Sequence, residues 1–181
     1  MIDNNSVLPE TMRLILQSGV GGCGAERATT ILAQMYQRYA VRHHWGLIIL
    51  DSLSTPQGEY QYVVFVIQGE RAYERLRYET GIHRMQEIPP FATRSRMHTS
   101  TVLVISQNIP APEHGIPASP FRVSTGQLFD APKTKIRTYN VPQERLTDHR
   151  IYRSFTPLDQ FLAGDLEPLL DALADAGDMT S

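Results

Sequence analysis

The run Tyr60-Gln-Tyr-Val-Val-Phe-Val-Ile67 constrains the fold of this chain more than any other segment. Its aromatic and β-branched side chains suit a pleated, half-buried surface and predict a strand. Leu47-Ile-Ile-Leu50 predicts a second strand, and the turn-rich residues 52–59 join the two into a hairpin. Leu14-Ile-Leu16 and Thr101-Val-Leu-Val-Ile105 supply further short apolar strands, so the chain must build a sheet.

Helical spacing appears between these strands. From Ala25 onward, Ala28, Ile31, Leu32, Met35 and Tyr39 recur every three or four residues and form one apolar stripe. This helix is expected to end near His43-His44-Trp45-Gly46, with Gly46 supplying the positive φ of a cap. Residues 70–78 predict a short helix bearing Arg71, Arg75 and Arg77. Thr156-Pro-Leu-Asp159 predicts another helix start, with Thr156 as cap and Pro157 in the first turn. Leu158, Phe161 and Leu162 form its apolar face, Gly164 breaks it, and Leu166, Leu169, Leu170 and Leu173 continue beyond. The proline-rich stretch 107–132 has no helical period and reads as an irregular excursion, in which Phe121-Arg-Val-Ser could pair as an edge strand. The expected fold is α+β: one compact domain, a mixed sheet packed against two or three helices.

At 181 residues, 41 % apolar and 20 % charged, the chain can bury a real core. A single cysteine excludes an intramolecular disulfide and a multi-cysteine zinc site, and points to a reducing, cytoplasmic setting. The first residues lack the pattern of a signal peptide, and no apolar run reaches membrane-spanning length, so no membrane is expected among the partners. The net charge of −2 hides an asymmetry. The first 155 residues hold all 17 basic residues but 13 of the 19 acidic ones, and no Lys or Arg follows Arg153. A mildly basic body before an acidic tail suits a face that meets phosphates.

The stretch Gly81-Ile-His-Arg-Met-Gln-Glu-Ile-Pro-Pro-Phe-Ala-Thr-Arg-Ser-Arg-Met-His-Thr-Ser100 reads as a polar loop, too polar for a core strand and too proline-broken for a helix. It is dense in side chains that read single-stranded RNA: Arg84, Arg94, Arg96, His83, His98, Phe91 and Gln86. Such reading uses stacking on flat side chains and hydrogen bonds to exposed base edges. With Gly19-Val-Gly-Gly22, Gln34-Met-Tyr-Gln-Arg-Tyr-Ala40, Arg75-Leu-Arg-Tyr-Glu-Thr-Gly-Ile-His-Arg84 and Lys135-Ile-Arg-Thr-Tyr-Asn-Val-Pro-Gln-Glu-Arg-Leu-Thr-Asp-His-Arg-Ile151, this stretch resembles the codon-recognition superdomain of bacterial class I peptide chain release factors. The resemblance covers most of the chain in two segments, 12–105 and 135–175. Residues 106–134 join them, and flexible ends are expected at 1–11 and 176–181. It does not extend to the helical amino-terminal domain or to the hydrolytic domain. No Gly-Gly-Gln tripeptide occurs in the 181 residues, and Thr125-Gly-Gln127 reads as an ordinary turn.

The resemblance implies a reading site. Pro89-Pro90-Phe91 stands where the family carries its codon-discriminating tripeptide, Pro-x-Thr in one class and Ser-Pro-Phe in the other. Neither family hydroxyl is present here, so the tripeptide is expected to discriminate poorly. Gln86 and Thr99 match family residues that contact the third base, and His98 matches one that stacks between bases. Gly21, Gly22 and Gly24 open the first helix where the family approaches the first base; Cys23 and Gly24 replace its acids, and Glu26 lies two residues further on. Free backbone amides at such a helix start can still make a polar contact. Arg84, Arg94 and Arg96 are expected to meet phosphates.

No catalytic residue, cofactor or metal is expected. Cys23 has no identifiable base or orienting partner, and the adjacent pair His43-His44 has no third ligand. The resemblance implies a protein that binds the ribosomal decoding centre, in contact with rRNA and mRNA, without peptidyl-tRNA hydrolase activity. The alternative is the codon-reading half of a split factor, with a separate Gly-Gly-Gln protein supplying hydrolysis. An enzyme that reuses the fold is the third possibility; no nucleophile–base or carboxylate pair supports it.

Overall fold

The computed structural model describes residues 9–88, 96–109 and 134–178. Among the described residues eight strands form one sheet: β1 (Glu10–Ser18), β2 (Gly46–Ser54), β3 (Tyr60–Gly69), β4 (Gly81–Glu87), β5 (His98–Ile109), β6 (Lys135–Asn140), β7 (Arg145–Asp148) and β8 (Arg153–Phe155). Their order across the sheet is β2-β3-β1-β5-β4-β6-β7-β8. Neighbours are antiparallel except β4 and β6, which run parallel. Helices α1 (Cys23–Arg42), α2 (Ala72–Leu76), α3 (Leu158–Leu162) and α4 (Glu167–Asp178) contribute their apolar faces to one core. The mixed sheet backed by helices is the α+β architecture the sequence predicts.

Strand alternation decides which side chains enter that core. Met12, Leu14 and Leu16 of β1 face the helices with Val63, Phe65 and Ile67 of β3, whereas Ile15, Val64 and Ile105 form a smaller apolar cluster on the opposite face. Ala28, Leu32, Met35 and Tyr39 of the expected helical stripe are buried, while Ile31 is only partly so. Leu158 and Phe161 are buried, as are Leu166, Leu169, Leu170 and Leu173; Gly164, at φ 89°, separates the two helices.

Several local expectations are corrected. Residues 81–87 are a strand in the middle of the sheet and not part of a loop, because His83 and Met85 turn inward against the core. The positive φ after α1 falls on His44, and Gly46 instead opens β2. Strand β5 runs to Ile109, so the irregular stretch does not begin at 106. Glu10 and Thr11 belong to β1, and α4 reaches Asp178, so neither terminal stretch is as long as expected. The cap position of α3 is Pro157 and no side chain caps it, because Thr156 lies one residue too early. Segment 135–151, expected directly beside the strands of Leu14 and Val102, joins the same sheet, but β4 stands between them. Phe121-Arg-Val-Ser and Thr125-Gly-Gln127 lie outside the described residues.

The second segment is tied to the first by a buried ionic cluster. Arg137 of β6 is fully buried. Its guanidinium pairs bidentately with Glu79 (Nη1–Oε2 2.6 Å, Nη2–Oε1 2.7 Å) and reaches Asp148 of β7 through Nε at 3.3 Å. Tyr36 of α1 donates to the same Glu79 at 2.5 Å. The backbone carbonyl of Glu79 can only accept, so the 2.9 Å contact from His83 Nε2 fixes the proton on that nitrogen, and Nδ1 accepts from the Tyr139 hydroxyl at 3.1 Å. Burial, with Arg137 nearby, pushes the His83 pKa down to about 4. Burial opposes ionisation of Glu79, yet attraction and hydrogen bonds from Arg137 outweigh it and hold the carboxyl at about 2. His83 is therefore a neutral core residue, not an RNA contact.

Candidate nucleic-acid interface

Two backbone features meet at one end of the sheet. The first is the turn Gly19–Gly22 between β1 and α1. It is stapled to β5 by four hydrogen bonds: Gly19 N to Thr101 O (2.8 Å), Thr101 N to Val20 O (2.9 Å), Val20 N to Thr101 Oγ1 (2.8 Å) and Thr101 Oγ1 to Val20 O (3.2 Å). Gly21 at φ 136° and Gly22 at φ 55°, ψ −133° adopt backbone that a side chain would strain, and a Cβ on Gly21 would come within 3.0 Å of Ser100 Cα. The second feature is the end of the β4–β5 ribbon, where Glu87 pairs with His98 and Gln86 with Thr99.

Between them lies an open cavity of about 370 Å³ lined by Gly21, Gly24, Glu87, Arg96, His98, Thr99 and Ser100. Five of these seven were singled out in the sequence. Glu87 and Ser100 were missed. Val20, Ile88 and Met97, each next in sequence to a lining residue, are 80 %, 42 % and 42 % exposed, so apolar surface borders the polar lining. Exposed imidazole, amphipathic rim and a guanidinium are the groups on which an unstacked base and its phosphate can rest.

Period-two alternation divides the expected reading trio. His98 and Glu87 share the face of the ribbon that carries Ser100 and Met85, the side of α1. Gln86 and Thr99 share the other face, where Gln86 Oε1 accepts from Asn140 Nδ2 at 3.4 Å. Arg84 pairs with Thr101 and Thr138 further into the sheet; its Nε is enclosed with no hydrogen-bond partner among the described residues, and it is not in the cavity lining. Pro89, Pro90, Phe91 and Arg94 lie outside the described residues.

The helix start is less open than expected. The amides of Gly24, Ala25 and Glu26 already donate to the carbonyls of Gly21 and Gly22. Glu26 turns away, its Oε1 accepting from Gln61 Nε2 at 3.1 Å. At the other end of α1, His43 Nε2 meets Glu167 Oε1 at 2.7 Å. Burial, with Arg75 and Arg42 nearby, lowers the His43 pKa. Among the described residues no group of His, Cys, Asp and Glu could hold a metal ion, and no helix is long and apolar enough to cross a membrane.

The PCRF domain matches residues 5–104, more than half of the chain. Peptide chain release factor 1 of Clostridium tetani (strain Massachusetts / E88) is 29 % identical over 229 residues, covering 87 % of this chain and 64 % of that protein. Peptide chain release factor 1 of Aquifex aeolicus (strain VF5) is 29 % identical over 237 residues, covering 91 % of this chain and 66 % of that protein. The chain thus spans slightly less than two thirds of the length of these relatives. The 229 aligned positions hold only 87 % of a 181-residue chain, so the relative carries internal sequence that this chain lacks. In three dimensions the fold is similar to RF2 of Thermus thermophilus, with a TM-score of 0.73 and 20 % identity over 92 % of this chain and 69 % of that one.

Proposed function

This chain belongs to the PCRF-domain family of peptide chain release factors, and from that premise we propose that it binds the ribosomal decoding centre without hydrolysing peptidyl-tRNA. One observation carries the reading: the glycine turn and the end of the β4–β5 ribbon converge on a single cavity lined by His98 and Arg96, with Thr99 at the same ribbon end on its opposite face. These are groups that stack on, pair with and neutralise a single RNA strand. Pro89, Pro90 and Phe91 would lie beside the message, with Gln86 and Thr99 on one face of the ribbon and His98 on the other. The sequence holds no Gly-Gly-Gln loop to position water at the ester. Binding without release makes the protein a modulator of termination or rescue. Residues 12–105 and 135–175 act as one unit.

The test is a titration of the full chain against ribosomes with an empty aminoacyl site, in competition with an authentic release factor. Binding should weaken with salt, as phosphate contacts from Arg96 and its neighbours release counterions. Peptide release should stay at background for every stop codon. Release by the pure protein, or no ribosome binding at any salt, overturns the reading. Release only on adding a separate Gly-Gly-Gln protein would make the chain the codon-reading half of a split factor.

A further inference from the structure

We propose that Glu87 makes this cavity selective for guanine. The last residue of β4, Glu87 stands opposite His98 and lines the cavity with Arg96, Thr99 and Ser100. Among the described residues no hydrogen bond or ion pair engages its carboxylate, although Arg96 borders the same space. A carboxylate left without a counter-charge among the described residues works against phosphate, so in the RNA cavity proposed above it calls for a donor-rich partner.

The chemistry of the bases selects that partner. A carboxylate offers two acceptor oxygens and no donor. Guanine presents two adjacent donors on its Watson–Crick edge, N1–H and N2–H, which match those oxygens. Adenine and cytosine each set an acceptor beside their amino donor, and uracil flanks its one donor with two carbonyls; each would place a lone pair against the carboxylate. His98 supplies the face on which the base stacks, and Arg96 a cation for its phosphate. The tripeptide Pro89-Pro90-Phe91 brings no side-chain hydroxyl of its own.

The RNA source of the guanine rests on the function proposed above, and the experiment separates the two. The full chain is titrated by fluorescence anisotropy with labelled RNA pentamers UUNUU, where N is each base in turn, and with GMP or AMP as competitor. Ribosome binding is measured in parallel. The guanine pentamer should bind roughly 5- to 150-fold more tightly than the others, the range of one good bidentate base contact. Glu87→Gln replaces one acceptor with a donor and should abolish that preference, as should Glu87→Ala, with unchanged circular dichroism melts. Competition by GMP but not AMP assigns the guanine to a free nucleotide, and its absence assigns it to RNA. Equal binding of the four pentamers, binding of none, or a guanine preference that survives in Glu87→Ala overturns the proposal. Ribosome binding that persists in that case leaves the decoding-centre reading intact; guanine selectivity without ribosome binding does the reverse.

Discussion

Glu79 and Glu87 lie eight residues apart, one just before β4 and the other at its end, yet their surroundings differ in kind. Glu79 is sealed in the core, where Arg137 and Tyr36 occupy its oxygens. Glu87 stands at the rim of an open cavity with neither oxygen occupied among the described residues. Both belong to polar groups gathered from distant parts of the chain. Hydrogen-bonding completeness, more than polarity, separates a structural cluster from a surface open to a ligand. A cluster whose hydrogen bonds are filled holds segments together; one with groups left over has capacity to take a ligand.

Opening the sealed cluster should destabilise the fold most. Arg137→Ala leaves Glu79 and Asp148 buried without their cation and should cost about 3–5 kcal/mol of stability in urea unfolding. Glu87→Ala should change the same midpoint by less than about 0.5 kcal/mol. Similar losses at the two sites would mean that both carboxylates are equally bound into the fold.

Acid should find the cluster next. The folded pKa of His83 lies below that of a free histidine, so the unfolded chain binds its proton first and stability rises with pH. Its contribution, about 3 kcal/mol for a shift from 6.5 to about 4, should be present above pH 6.5 and lost as pH falls towards 4. Glu79, held at about 2, adds stability that is present above its unfolded value of 4.5 and drains away below it. Urea midpoints that stay flat between pH 7 and 4 would contradict this picture of a neutral buried ring.

At the open site, His98→Ala should weaken ribosome binding by about 1–3 kcal/mol, one stacked base, and leave the thermal midpoint unchanged. Equal losses in binding and in folding would make His98 structural. The smallest effect sharpens the geometry of the glycine turn. Gly21→Ala sets a Cβ near Ser100 Cα at a positive φ and should cost about 1 kcal/mol or more. Gly24→Ala meets chiefly the Ser100 hydroxyl, 2.6 Å away, which can rotate, and should cost less. A reversed order would mean that the turn is held differently.

The sequence made α1 legible because its stripe is local: Ala28, Leu32, Met35 and Tyr39 repeat within one helix, and no distant residue is needed to read them. Strands β1, β3 and β5 were legible for the same reason. Strand β4 was not, because its inward residue His83 is polar and is satisfied only by Tyr139 and by the carbonyl of Glu79, the former 56 residues away. Arg137 hid for a related reason: a buried arginine has no local signature, although the alternation in Lys135-Ile-Arg-Thr-Tyr-Asn140 does place it on one face with Tyr139. Of the candidate site, the glycines and His98 could be read from the motif. Glu87 could have been found by the same alternation, since it leans to the same side as Met85 and meets His98 across the ribbon. The opposite facing of Gln86 and His98 was also implicit in strand periodicity, but only once residues 81–87 are read as strand.

The parallel pairing of β4 with β6 has a consequence for how such a chain can be cut and extended. Strand β5 starts at the cavity and leaves at Ile109, while β6 enters beside Ile82 and runs back towards the cavity. The chain therefore exits and re-enters the sheet at the end remote from the cavity. That end is a splice port: a whole module can be inserted or excised there without shifting the register of any strand. Loop-closure entropy changes only slowly with length, about 0.6 kcal/mol per doubling, so the scaffold scarcely registers what is attached. Such wiring lets the sheet and whatever joins it at that end vary as separate parts.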